Sequence, residues 1–215
     1  MADLTELDPR NLSVVDYLAA MGTATSEGGA LRGADPATFA TLVKRTSAQQ
    51  LTALDASPLR DRVLEIIFAR MGEAFRGDRL SASRTSLVRW EIIGARRSTF
   101  ETELSRAGCT VANQGTRALP GEGTEREPRA TLTLSFPEFL KLTSGNANAT
   151  MMFMTRKLRL GGDVGFAAGL SNLFDIPDPD QPVMISPILI NPSTIAGRDA
   201  PHVLPRAVRG ARRTP

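Results

Sequence analysis

Residues 130–174, ATLTLSFPEFLKLTSGNANATMMFMTRKLRLGGDVGFAAGLSNLF, leave the chain few ways to fold. Leu132, Leu134 and Phe136 alternate with Thr131, Thr133 and Ser135, the period of a strand with one buried face. Ser135 followed three residues later by Glu138, with Pro137 between them, predicts a capping box and the first turn of a helix. Gly145 stands where that helix needs a left-handed residue to end. Met151-Met152-Phe153-Met154 form a second apolar block, and Lys157-Leu158-Arg159-Leu160 alternate again. Gly161-Gly162-Asp163 then turns the chain into an amphipathic helix carrying Phe166, Leu170, Leu173 and Phe174. The predicted order is strand, helix, short helix, strand, helix.

Taken together, these pieces resemble the C-terminal half of the sterol carrier protein type 2 domain, also called the sterol-binding domain. The family pattern is a TLTLS strand, a Phe-x-x-Leu helix ended by Gly, an apolar turn, a Lys-Leu strand ending in Gly-Asp, and a helix with Ala-x-x-Leu. Here those positions are Thr131–Ser135, Phe139-Leu140 with Leu142, Gly145, Lys157–Leu160, Gly162-Asp163 and Ala167 to Leu170. Residues 67–79, IFARMGEAFRGDR, also resemble a segment that precedes the sheet in bacterial members. One departure stands out: many members carry Gly before the Lys-Leu pair, and this chain carries Arg156. The resemblance implies a five-stranded sheet covered on one face by helices, with an apolar lipid tunnel between them.

The same fold class follows from the rest of the chain. Asp35-Pro36 starts a helix bearing Phe39, Leu42 and Val43. Ser47 with Gln50 forms another capping box, and Ser57-Pro58 starts a helix through Leu59, Val63, Ile66, Ile67 and Arg70. Strands are predicted over 86–94, 99–106, 110–114, 130–136 and 156–161. Helices followed by mostly antiparallel strands give an α+β domain rather than an alternating α/β one. Residues 1–34 read as an N-terminal extension: Asp8-Pro9 starts one short helix with a Leu12, Val15, Leu18 and Ala19 stripe, expected to dock loosely or not at all. Residues 22–34 then read as a flexible linker. The lipid-binding domain is placed at 35–175. Residues 115–129 read as a long exposed loop, and 176–215 as a Pro/Arg-rich tail holding eight of the 14 prolines from residue 177 onward.

Composition removes several function classes. A net charge of +3 and 5% aromatic residues give no electrostatic or stacking footprint for nucleic acid. Cys109, the single cysteine, cannot form an intrachain disulfide; it falls in a predicted strand as a small core hydrophobe. Met1–Arg10 is acidic where a signal peptide is basic, and no run of about 18 apolar residues is present. A cytoplasmic location is expected.

The chemistry expected of an enzyme is missing from the sequence pattern. The single histidine, His202, lies in the tail, so a Ser-His-Asp or Cys-His arrangement lacks its base. No metal-ligand spacing, P-loop or cofactor motif is present. Glu101 and Glu103 share a strand face, which reads first as two solvated carboxylates. Asp163 reads as a helix cap. Catalytic residues, metal and cofactors are therefore all expected to be none.

The methionine block has two readings: plain core packing, or a deformable wall for an apolar ligand, since unbranched thioethers re-pack around varied shapes. The resemblance favours the wall, and on it the ligand-binding residues are Phe139, Leu142, Met151, Phe153, Phe166, Leu170 and Phe174. The function expected is non-catalytic binding or transfer of a fatty acid, fatty acyl thioester, sterol or similar polycyclic lipid. The alternative is an enzyme or accessory factor that shapes a hydrophobic biosynthetic intermediate, such as a polyketide-like chain, by orientation alone. Two further contacts stand beside plain solvation. The apolar Val183–Ile195 segment suits a protein partner or a plug for the chain's own tunnel. The arginines from Arg198 onward suit transient contact with an anionic membrane.

Overall fold

A computed structural model describes residue 4 and residues 7–80, 85–113 and 128–176. The expectations for loop 115–127, the Val183–Ile195 segment, His202 and the terminal arginines lie outside the described residues.

Helix starts follow their caps. Ser13 accepts from the Asp16 N–H at the start of α1 (Val14–Thr25), and Asp35 from the Thr38 N–H at the start of α3 (Pro36–Arg45). Between them lies the short α2 (Ala30–Gly33). Ser47 and Gln50 form both halves of a capping box on α4 (Ala48–Ala56). The 16-residue α5 (Leu59–Ala74) is apolar on a broad face, with Val63, Leu64, Ile66, Ile67, Phe68 and Met71 buried.

Five strands form one sheet: β1 (Ser86–Ile93), β2 (Ser98–Ser105), β3 (Gly108–Asn113), β4 (Ala130–Ser135) and β5 (Leu158–Gly162). Their order is β3-β2-β1-β4-β5. Neighbours are antiparallel except β1 and β4, which run parallel with Trp90 opposite Leu132. Alternation sends Val88, Trp90, Ile92, Phe100, Leu104, Leu132 and Leu134 to the helix side, where all are buried. The opposite face is polar. Arg89 pairs with Glu101 at 2.8 Å, and Thr133 donates to Glu91 at 2.9 Å. The carboxylates of the outer face are thus held in a surface lattice.

The expected elements of 130–174 are present in order, except that the last helix ends at Gly169 and gives way to a 3-10 turn over Leu170–Leu173, with Phe174 extended beyond it. α6 (Phe136–Thr143) starts on Ser135, whose hydroxyl accepts from the Glu138 N–H. The Glu138 carboxylate lies 4.0 Å from the Lys157 ammonium. Gly145 takes φ +77° after the helix end, the left-handed value expected of it. α7 (Ala149–Met154) is capped by Asn148, and α8 (Val164–Gly169) by Asp163, each side chain accepting backbone N–H groups. Gly162 turns between β5 and α8 at φ +75°, and a Cβ there would sit 2.5 Å from the Arg129 carbonyl oxygen. Only glycine fits.

The N-terminal region departs from expectation. Asp8-Pro9 produces a 3-10 turn (Pro9–Asn11), and the helix itself starts later, on Ser13. Its buried face is Tyr17, Met21 and Ala24, whereas Val15 of the expected stripe is 75% exposed. α1 docks firmly against α4 and α5. The Gln50 side-chain amide donates to the carbonyls of Pro9 and Leu12, at 2.8 and 3.1 Å, and stitches the first turn to α4. The expected linker is ordered as well. Leu31 is fully buried, and Arg70 donates to the carbonyls of Leu31 and Ala34. These two anchors hold the segment despite its small residues.

Candidate ligand cavity

A cavity of about 550 Å³ lies between the helix-facing side of the sheet and the helices. Its sheet wall is Trp90, Leu132 and Leu158, from three adjacent strands. Opposite are Phe39 of α3 and Ile67 and Met71 of α5. Leu142, Ala167, Leu170 and Phe174 close the remaining side, and all ten of these side chains are buried. Water inside such a lining would find few partners, so an apolar occupant is favoured there.

The exposed members of the lining are Gly33 and Pro36 and four charged residues, Arg32, Glu73, Arg76 and Asp175. They mark where the cavity opens to solvent. Asp175 holds Arg76 and, at 3.0 Å, Arg79. Arg70, half-buried, lies 5.5 Å over the Phe39 ring while its guanidinium holds the Leu31 and Ala34 carbonyls. Burial pulls its pKa below the ordinary arginine value. A second seam fixes the far wall. Phe75 and Phe174 form an antiparallel bridge, with Arg76 donating to Leu173 O at 2.7 Å and Asp175 to Ala74 O at 2.9 Å. The two rings meet at 5.5 Å.

Of the seven residues placed on the wall by sequence, the structure brings Leu142, Leu170 and Phe174 into the lining. Phe139 is fully buried behind it, 6.2 Å from the Trp90 ring and 5.1 Å from Phe68, which stacks on Phe100 at 4.1 Å. It braces Trp90, whose indole N–H donates to Thr102 at 3.0 Å. Phe166 lies outside the lining, with the Arg129 guanidinium 4.0 Å over its ring. Met151 and Phe153 face solvent, 59% and 45% exposed. α7 turns Met152 into the core and places Ala149 in the lining, so the helix presents the rest of its apolar block outward.

Sequence reasoning did not single out Phe39, Ile67, Met71, Trp90, Leu132 or Leu158. Each sits at an inward position of its helix or strand, where the periodic signal of a cavity wall is the same as that of a filled core.

The cavity holds little reactive chemistry. Cys109 is half-buried on β3, and burial pushes its thiol up to about 11. Among the described residues no three His, Cys, Asp or Glu side chains converge as a metal site. Every buried side-chain nitrogen and oxygen among them has a hydrogen-bond partner. No helix among them is long and apolar enough to cross a membrane.

No curated protein matches the sequence. Among solved structures, the apo sterol carrier protein 2 of Yarrowia lipolytica is 21% identical; the match covers 50% of this chain and 86% of that one, at a TM-score of 0.40. Sterol carrier protein 2 like 2 of Aedes aegypti is 18% identical, with 53% of this chain and 94% of that chain covered, at 0.39. A stereoselective inverting sec-alkylsulfatase of a Pseudomonas species is 11% identical, with 79% and 29% covered, at 0.43. The profile of the SCP-2 sterol transfer family matches residues 76–175, the stretch that holds the whole sheet and the far wall of the cavity.

Proposed function

We propose that this protein binds a hydrophobic small molecule in the cavity and carries it, without chemistry, between donor and acceptor. Support comes from an apolar cavity of about 550 Å³, in the size range of small-molecule sites, joined to the match of the SCP-2 sterol transfer family profile over the surrounding sheet. The ligand is a fatty acid, a fatty acyl thioester or a sterol-sized polycyclic lipid. Its apolar body lies against Trp90, Met71, Leu142, Leu170 and Phe174, and its polar end reaches the charged opening at Arg32 and Arg76. Affinity comes from withdrawn methylenes, at about 0.8 kcal/mol each before ordering costs. Selectivity is accordingly low, as suits a carrier.

Native mass spectrometry of freshly purified protein, followed by organic extraction, tests the reading. The expected result is a stoichiometric acyl or polycyclic species, together with displacement of a fluorescent fatty-acid probe by added lipid. Leu170→Trp and Leu142→Trp fill the volume and are expected to weaken probe binding about tenfold or more while the circular-dichroism spectrum is retained. A bare polypeptide that also ignores fatty-acyl and sterol probes would overturn it.

A further inference from the structure

The exposed apolar side chains of this protein are not scattered evenly. Val15, Ile93 and Val164 stand singly, as surface hydrophobes commonly do. Met151, Phe153 and Met154, by contrast, crowd into four residues of α7, with Met154 72% exposed. The ridge they make is held in shape. Asn148 caps the helix start, and at its end Thr155 donates its hydroxyl to Met151 O at 2.7 Å while Lys157 N–H donates to Met152 O at 2.8 Å. Arg156 then turns the chain at φ +60°, so the cations Arg156, Lys157 and Arg159, all exposed, follow directly on the ridge.

Charge along this stretch of sequence has one sign. Residues 139–162 contain no aspartate or glutamate and carry Lys141, Arg156, Lys157 and Arg159. Among the described residues, Glu138 is the carboxylate that meets these cations, 4.0 Å from Lys157. Apolar residues flanked by cations match a surface with anionic groups outside and hydrocarbon beneath, which is the make-up of an anionic lipid leaflet. A second copy of the chain fits poorly, because a two-fold contact centred on α7 would set these cations against themselves.

We propose that α7 and the turn after it dock this protein on an anionic lipid bilayer, with Phe153, Met151 and Met154 entering the headgroup–acyl boundary and Arg156, Lys157 and Arg159 holding lipid headgroups. The proposal goes beyond the carrier reading and does not depend on it. The two meet at α7, whose Ala149 lines the cavity, so docking brings the bilayer to within one helix diameter, about 10 Å, of the cavity wall.

The test is co-sedimentation of the full chain with vesicles of phosphatidylcholine alone, and of phosphatidylcholine with about one third phosphatidylglycerol. Binding is expected to the anionic vesicles, to fall with added salt, and to be weak on phosphatidylcholine. Phe153→Ser with Met154→Ser keeps every charge on the chain, including the arginines beyond residue 197, and is expected to lower partitioning about tenfold or more. Arg156→Gly, at a backbone angle that glycine prefers, is expected to lower it about fivefold. Val15→Ser is expected to leave it unchanged. Circular dichroism and thermal melts establish that each variant folds. Vesicle binding that is absent from the full chain, or that survives loss of Phe153 and Met154, overturns the proposal. Loss of a dimer in the serine variant with unchanged vesicle binding overturns it too, and assigns the ridge to a second copy. Probe binding in the cavity is measured on the same variants; its failure bears on the carrier reading alone.

Discussion

At the scale of single residues, three positions show how this fold treats charge and strain. Arg60 is fully buried, yet each part of its guanidinium is used. It pairs with Asp55 at 2.7 Å, donates to the Ile92 and Arg96 carbonyls at 3.1 Å and to Ser98, and lies 5.4 Å over the Phe136 ring. It binds the start of α5 to the end of the β1–β2 hairpin. Arg60→Ala leaves those acceptors unpaired and is expected to cost about 3–5 kcal/mol, read from urea denaturation. Tyr17 is buried on α1, and burial pushes its phenol up to about 12 from 10.0, with Thr46 as its hydrogen-bond partner. From pH 10 the unfolded chain has shed a proton the native state keeps, so stability falls as pH climbs toward 12, by about 2–3 kcal/mol. Cys109 acts with the same sign between 9.0 and about 11. Denaturation at a series of alkaline pH values is expected to show the upper part of the decline removed by Tyr17→Phe and the lower part by Cys109→Ala. Arg156, at φ +60°, occupies a left-handed position that disfavours any side chain, and Arg156→Gly is expected to raise stability by about 1 kcal/mol. The cation persists there despite that strain. Greater stability together with weaker vesicle binding would show what the strain maintains.

At the scale of elements, much of the architecture was legible because local chemistry and tertiary packing agree. The capping residues Ser47 and Asp163, the terminator Gly145 and the alternation of β1, β2 and β4 each mark a backbone event that the chain carries out in place. α1 was misjudged for a physical reason. Its sequence VVDYLAAMGTAT offers apolar residues on more than one side, and Tyr17 and Met21 make the larger buried contacts, so tertiary packing chose the face. α7 was ambiguous in the same way: four successive apolar residues cannot share one side of a helix, and the structure buries Met152 alone. The cavity was legible as a location, between the sheet and the last helices, but not as a residue set. An empty volume depends on how far apart two walls stand, which periodicity does not encode. Asp163 joins these levels. It caps α8 by accepting from the Phe166 N–H and holds Arg129, which also reaches Ser86. Its carboxyl lies below the usual range, chiefly through the Phe166 N–H and the Arg129 guanidinium. Asp163→Ala is expected to fray α8, lower the melting temperature, and weaken probe binding through displacement of Ala167 and Leu170.

At the scale of the whole molecule, the cavity belongs to more of the chain than the family-matched stretch. Phe39, Ile67, Arg70 and Met71 precede residue 76, and Arg32 lies at the opening, so one wall comes from the helical layer α2–α5. Removal of residues 1–34 is therefore expected to uncover the α1-facing side of α5, broaden the thermal transition and raise binding of an apolar dye, where a detachable extension would change none of these. The Phe75–Phe174 bridge has a further consequence for the order of events on the ribosome. The helical layer and the sheet can assemble as they emerge, but the far wall of the cavity is not in place until Leu173, Phe174 and Asp175 have left the exit channel and zipped onto Ala74–Arg76, about a hundred residues behind them. Until that moment the nascent chain leaves the apolar side chains of that trough exposed, and the seam is the last step that covers them.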